Sequence, residues 1–225
     1  MLTIVGLGPA GIGGMSASAL WALESASKVY MRTGRHPAVL DLQERGARFE
    51  TFDHIYETAS DFDEVYSTIA TRVIEESQTG DIVYAVPGHP LVAERSVALI
   101  LDTAHRKNIP VELIGSASFI DACLETLAMP IGRGLKIIDA LALDEVLPSI
   151  DCPNLIHQVY DRMVASSVKL ALMEIYPDEF EVYVISGAGG DDAQVVKLPL
   201  YELDRREYDH LTSIFVPELK KKATE

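Results

Sequence analysis

"VYAVPGHPLVAE", residues 83–94, decides how the rest of the chain is read. Val83–Val86 is an unbroken apolar run, the pattern of a strand buried on both faces of a sheet. Pro87, Gly88, His89 and Pro90 follow at once, and a sheet interior rejects them. The stretch is therefore a core strand that stops in a rigid, glycine-centred elbow. Two other apolar runs stop in the same way: "LTIV" (2–5) enters "GLGPAGIGG" (6–14), and "VELIG" (111–115) enters "GSAS" (115–118). Glycine lets backbone approach a ligand closely, and proline fixes the direction of the chain. In open parallel sheets ligands sit outside the carboxyl ends of the strands. Three such loops on one sheet edge point to one ligand pocket.

Working outward, "KVYMRT" (28–33) reads as a further strand. Helical spacing of apolar residues marks "MSASALWALESA" (15–26), "AVLDLQERGA" (38–47), "FDEVYSTIATRVIEESQTG" (62–80) and "LVAERSVALILDTAHRKN" (91–108). Strands alternate with helices, and the strands are apolar without a period of two. That is an α/β fold with a parallel sheet covered on both sides. The texture changes at Gly115. "SFIDACLETLA" (118–128) and "ASSVKLALMEIY" (165–176) read as helices. "LKIIDALAL" (135–143), "NLIHQVYD" (154–161), "EVYVISGAGG" (181–190), "AQVVKLPL" (193–200) and "TSIFVPEL" (212–219) read as strands joined by short turns and one helix. The expected division is residues 1–114, an α/β lobe with a mostly parallel sheet, and residues 115–225, an α/β lobe with a mixed sheet. The "KKKATE" tail (220–225) reads as a frayed end or the start of a linker.

Composition narrows the function classes. The chain has 225 residues, 48% of them hydrophobic, enough for a sizeable core, and a formal net charge of -15. Such a field repels phosphate backbones and anionic lipid heads, so neither nucleic acid nor a membrane is expected as a partner. No apolar run reaches the length of a membrane span. The N-terminus enters a strand with no basic region ahead of it, so no signal peptide is expected. Cys123 and Cys152 do not form a C-x-x-C pair, and the expectation is reduced thiols in a cytoplasmic protein.

Gly6, Gly8 and Gly11 fit G-x-G-x-x-G, which raises an NADP-binding Rossmann-type oxidoreductase as an alternative. Against it, Pro9 interrupts the run and the helix waits until about Met15. The strand "KVYMRT" ends in Arg32 and Thr33, with no acid for a ribose hydroxyl, although an arginine suits a 2′-phosphate. "GSASF" is not a nucleophile elbow, because Phe119 stands in place of the last glycine. His36, His54, His89, His105, His157 and His210 lie without metal-ligand spacing, so no metal is expected. Asp191 and Asp192 read as turn residues. Arg32, Arg35 and His36 in "RTGRHP", with Tyr56 and Glu57 in "DHIYE", are candidates for binding an acceptor, Arg32, Arg35 and His36 through its carboxylates. Tyr160, Asp161 and Arg162 are further candidates, with Asp161 a proton acceptor.

"IVGLGPAG", "AVPGHPLVAE" and "IGSASFIDA", in this order, resemble the signature loops of the tetrapyrrole methylase family of S-adenosylmethionine-dependent methyltransferases. The family's pattern is G-x-G-P-G, then G-D-P, then a turn bearing serine or threonine. "RTGRHP", "DHIYE", "YAVPGHP" and "QVYDRM" are most similar to the methylase domain that some bacterial proteins fuse to a MazG-type nucleotide pyrophosphohydrolase. The resemblance implies two α/β lobes with the cofactor, S-adenosylmethionine, in a cleft between them. It implies cofactor contacts at Pro9, at Pro87, Gly88, His89 and Val92, at Ala117 and Ser118, and at Tyr160 and Gly187. His89 stands where the family has aspartate, Ala10 where it has glycine, and Tyr160 where relatives often have methionine. A homodimer, a small-molecule acceptor and a MazG-type domain in cis or trans are further implications. Transfer from a sulfonium donor needs alignment and exclusion of water more than an acid–base triad. A non-catalytic module that binds the cofactor or a related nucleoside is the remaining alternative.

Overall fold

A computed structural model of the chain describes residues 1–219, and the tail read as a frayed end or linker lies outside the described residues. The chain divides into two compact units, Met1–Phe119 and a second that begins at Ile120. The boundary expected at 114/115 falls after Phe119 in the structure. Residues 115–117 instead bond back to the first glycine loop, as detailed below, and belong to the first unit.

In the first unit β1 (Leu2–Gly6) leads through the glycine loop and a 3-10 turn (Ile12–Gly14) into α1 (Ala17–Ser25). Then come β2 (Val29–Met31), α2 (Pro37–Glu44), β3 (Glu50–Thr51), α3 (Asp53–Thr58) and α4 (Phe62–Thr79). β4 (Ile82–Val86), α5 (Arg95–Lys107) and β5 (Val111–Ile114) close the unit. The strands form one five-stranded sheet in the order β3-β2-β4-β1-β5, and every pairing is parallel. Successive side chains of a strand face opposite sides, and here both sides are packed. Leu2, Ile4, Tyr30, Ile82, Tyr84 and Val86 join Ile69, Val73, Val97 and Ile100 of α4 and α5. Val5, Val29, Met31, Val83 and Ala85 join Ala19, Leu23, Val39 and Leu42 of α1 and α2. This double burial is why the strands show no polar alternation.

Helix ends follow their local chemistry. Ser16 Oγ accepts from Ala19 N at 3.2 Å to cap α1, and Asp61 Oδ1 accepts from Glu64 N at 2.8 Å to cap α4. Pro37 starts α2, where its missing N–H costs nothing. α5 starts at Arg95, four residues later than its apolar pattern begins at Leu91, because the elbow continues through Ala93 at φ 53° before Glu94 caps the helix. β3 and α3 have no counterpart in the sequence reading: a two-residue strand and a six-residue helix are too short to show a period.

The second unit contains most of α6 (Phe119–Leu127), then β6 (Lys136–Asp139), β7 (Asn154–His157), α7 (Arg162–Met173), β8 (Glu181–Ser186), β9 (Gln194–Pro199) and β10 (Thr212–Val216). Its five-stranded sheet runs β6-β7-β10-β8-β9, with β6 and β7 parallel and the other pairs antiparallel, the mixed sheet expected. The apolar run 135–143 is not one strand. Asp139 accepts from Leu141 N at 2.9 Å and turns the chain into a 3-10 segment, Ala140–Ala142. The helix between β9 and β10 is likewise 3-10, Leu200–Arg205. Among the described residues Cys123 and Cys152 are free thiols, and no helix is long and apolar enough to cross a membrane.

Candidate functional site

The first and middle glycine loops are joined backbone to backbone. Gly8 N donates to Gly88 O at 3.1 Å, and Gly88 N donates to Gly8 O at 2.7 Å, an antiparallel bridge between two loops. Leu7 N donates to Val86 O at 2.8 Å just before it. The approach is close enough that a Cβ on Gly6 would lie 2.4 Å from Gly88 O. The third loop is tied to the first by side chains. Ser116 Oγ donates to Gly6 O at 2.6 Å and accepts from Ser16 N at 3.0 Å. Ser16 Oγ donates to Gly115 O at 2.7 Å, and Ala117 N donates to Gly14 O at 3.2 Å. The His89 ring of the middle loop packs on Gly115, where a Cβ would meet its Nε2 at 2.4 Å. All three loops therefore form one backbone-rich cluster at the carboxyl ends of β1, β4 and β5.

Ser16 and Ser116 hold this cluster and were not singled out in the sequence. The "S-A-S-A" entry into α1 carried a capping signal for Ser16; nothing local marks Ser116, whose partners lie about a hundred positions away. Removing that hydroxyl in Ser116→Ala leaves Gly6 O and Ser16 N without their partner. The expected loss is about 1–2 kcal/mol, read as a lower urea midpoint at unchanged slope.

The expected cofactor residues of the first unit lie on this cluster. Pro9, Pro87, Gly88, His89, Val92 and Ala117 are partly exposed and Ser118 is buried. His89 acts locally through its main chain and ring: its carbonyl accepts from Val92 N at 3.0 Å, and its Nδ1 accepts from Leu91 N at 3.1 Å. The Gly6–Gly8–Gly11 run does not open a helix. Gly8 N is engaged by Gly88 and α1 begins only at Ala17, so the geometry of a dinucleotide phosphate loop is absent from these described residues.

The acceptor candidates fare differently. Arg32 N donates to Ala85 O at 2.8 Å, which places Arg32 beside the carboxyl end of β4. Its guanidinium is not free. Nε lies 3.2 Å from Glu94 Oε2, with side chains 20% and 7% exposed, and Nη1 donates to Tyr56 Oη at 3.0 Å. Burial weighs against the charge, but the Glu94 carboxylate holds the guanidinium firmly protonated. Glu94 in turn accepts from Ser96 Oγ at 2.8 Å, and that hydroxyl shares a 2.8 Å hydrogen bond with Tyr84 Oη. Arg35 is exposed; the turn it stands in is pinned by Asp53, which accepts from Thr33 Oγ1 at 2.6 Å and Gly34 N at 2.7 Å. Glu57 is exposed.

His36 is 8% exposed, and its Nδ1 has no hydrogen-bond partner. Burial, reinforced by Arg32, pushes the imidazole down to about 4 against the pull of the Gly8 backbone and Asp41. It is neutral at pH 7 and brings a carboxylate no positive charge. The unfolded chain takes up this proton near the ordinary value of 6.5, whereas the fold refuses it until near 4. Stability from this group is complete above the ordinary value. It is lost as pH falls toward the folded value, by on the order of 3 kcal/mol. Urea unfolding across that window should show the slope, and His36→Phe should flatten it.

In the second unit Tyr160 is 42% exposed and follows Gln158, whose φ of 63° redirects the chain after β7. Asp161, expected as a proton acceptor, caps α7 by accepting from Val164 N at 2.8 Å, and Arg162 Nε donates to Asp204 O at 3.2 Å. Gly187 sits at φ 64°, its N donating to Leu211 O at 3.2 Å and its O accepting from Gly190 N at 3.0 Å. Asp191 and Asp192 are exposed in the turn that follows. A crevice of about 520 Å³ lies at the β3 edge of the first unit, lined by Glu50, Phe52, His54, Ile55 and Arg72 among others. None of the glycine-loop residues lines it, and its Phe52 and Tyr30 rings already stack on each other at 5.4 Å.

A parallel sheet whose strand ends converge in tied glycine loops, followed by a unit with a mixed sheet, defines an α/β protein whose candidate loop site lies on its first unit. Residues 1–204 match the family described as Tetrapyrrole (Corrin/Porphyrin) Methylases, and the chain belongs to that family. It is 37% identical over 222 residues to the uncharacterized protein YabN of Bacillus subtilis (strain 168), covering 97% of this chain and 45% of that one. It therefore spans about half the length of that relative. Its fold is similar to the uroporphyrin-III-C-methyltransferase from Thermus thermophilus (TM-score 0.76, 19% identity, 97% of this chain and 94% of that one). It is also similar to the methyltransferase CobJ (TM-score 0.71, 13% identity, 100% and 96%) and to a diphthine synthase (TM-score 0.69, 19% identity, 96% and 89%).

Proposed function

We propose that the chain is an S-adenosylmethionine-dependent methyltransferase acting on a small molecule, with the cofactor gripped by the three tied loops of the first unit. The observation that carries this reading is the Gly8–Gly88 bridge together with the Ser116 and Ser16 hydrogen bonds, which draw Pro9, Gly88, His89 and Ala117 into one cluster. Main-chain carbonyls there are suited to a sulfonium and its methionine part, and no side-chain carboxylate is needed from position 89. The bound cofactor supplies an already activated methyl group. The residues of this chain hold it, aim the acceptor and exclude water. Calorimetry tests the reading directly. S-adenosylhomocysteine is expected to bind at one site per chain, while binding of NADPH alone would sink the proposal. A labelled-methyl assay on cell extract then separates an enzyme from a non-catalytic module.

We also propose a homodimer, on the family resemblance, with light scattering at micromolar concentration as its check. A MazG-type pyrophosphohydrolase partner, in cis or trans, is proposed on the same resemblance.

A further inference from the structure

We propose that Glu94 sets the class of acceptor: by cancelling Arg32 it makes the carboxyl-end edge of β2 and β4 select an uncharged hydrogen-bonding group over a carboxylate. This rests on the methyltransferase reading above. The edge in question adjoins the tied loops, because Arg32 N bonds to Ala85 O and the next carbonyl, Val86 O, accepts from Leu7 N. Glu94 ends the same elbow that carries Gly88 and His89.

The charges along this edge are internally settled. Arg32 faces Glu94 at 3.2 Å, and Arg95 pairs with Asp63 at 2.9 Å. His36 is neutral at pH 7, and burial keeps the Tyr56, Tyr66 and Tyr84 phenols protonated. Arg35 is exposed, and its charge adds to the Thr33 and Gly34 hydrogen bonds that, against burial, hold the Asp53 carboxyl below its ordinary value. What remains is polar capacity without charge. Among the described residues the buried side-chain nitrogens and oxygens that lack a hydrogen-bond partner are Arg32 Nε and His36 Nδ1, four positions apart in "RTGRHP". Buried polar atoms normally find partners. A hydroxyl or amide of an acceptor matches a neutral imidazole and neutral phenols, whereas the Arg32 Nε–H already faces Glu94. A carboxylate aimed at Arg32 Nε would instead meet the Glu94 carboxylate already 3.2 Å from it. Specificity by an opposing charge of this kind is a rejection device. The chain's net charge of -15 adds to it at longer range.

The test uses uroporphyrin I, a polycarboxylate with strong absorbance and fluorescence, titrated in low salt with S-adenosylhomocysteine present. Wild type is expected to show no saturable binding. Glu94→Gln should gain affinity for uroporphyrin by at least about tenfold, and Arg32→Met added to it should abolish the gain. Saturable wild-type binding that is lost in Arg32→Met overturns the proposal, as does a folded Glu94→Gln protein with no gain. If Glu94→Gln does not fold, the wild-type and Arg32→Met titrations decide alone. Failure of wild type to bind S-adenosylhomocysteine in the same cell counts against the methyltransferase reading instead, so the two failures are read separately.

Discussion

Gly8→Ala is expected to destabilise the first unit by about 3 kcal/mol and to weaken S-adenosylhomocysteine binding by at least about tenfold. Two costs add. Gly8 sits at φ 80°, where an L side chain is strained, and a Cβ there would lie 2.5 Å from both the carbonyl carbon and oxygen of Gly14. Neither atom is the end of a flexible side chain, so the 3-10 turn itself must move. That turn carries Gly14 O, the acceptor for Ala117 N, and Gly8 carries both bonds of the bridge to Gly88. One methyl group thus disturbs the ties to the other two loops. Gly13→Ala is the matched control: a Cβ there meets nothing within 4 Å, and the change should stay within about 0.5 kcal/mol of wild type. Urea unfolding and calorimetry on the two variants check both arms. A Gly8→Ala protein that binds as wild type does would detach the bridge from cofactor binding.

Glu94→Ala is expected to cost about 3 kcal/mol, at the lower end for a broken buried pair because Arg32 keeps some contact with solvent. The carboxylate does two jobs. It faces Arg32, and it caps α5 by accepting from Ser96 N at 3.3 Å and Ser96 Oγ at 2.8 Å. Its loss leaves a largely buried guanidinium with the Tyr56 hydroxyl as its remaining hydrogen-bond partner. The double variant Arg32→Met/Glu94→Ala should lose less than Glu94→Ala alone, because both lack the cap but the uncompensated charge is then gone and the stem of residue 32 still packs. Equal losses in the single and double variants would show that the helix cap, and not the pair, carries the effect.

These two residues also mark where sequence reasoning reaches and where it stops. Gly8 was visible as part of a glycine-rich strand end, and the role of such ends in parallel sheets is general. The bridge partner Gly88 was visible for the same reason, but not the bridge. Arg32 stood out as a cation after β2. Its neutralisation did not, because Glu94 is far along the chain and falls inside the stretch 91–108 that reads as a helix. Asp161, read as a proton acceptor beside Tyr160, has a role that its local sequence also offered: its place ahead of "RMVA" makes it the cap of α7.

The amino-acid sequence by itself determined that the first unit is a parallel sheet covered on both faces, since Leu2–Val5 and Val83–Val86 have no polar alternation to offer water. It also determined that three of its strands end in rigid, side-chain-poor loops. Only the tertiary structure decided the strand order β3-β2-β4-β1-β5, the tying of the loops through Gly88, Ser116 and Ser16, and the burial of Arg32 against Glu94. The reason is physical: period and punctuation are written between neighbours in the chain. A hydrogen bond or ion pair formed only after folding leaves no periodic trace in either partner's local sequence.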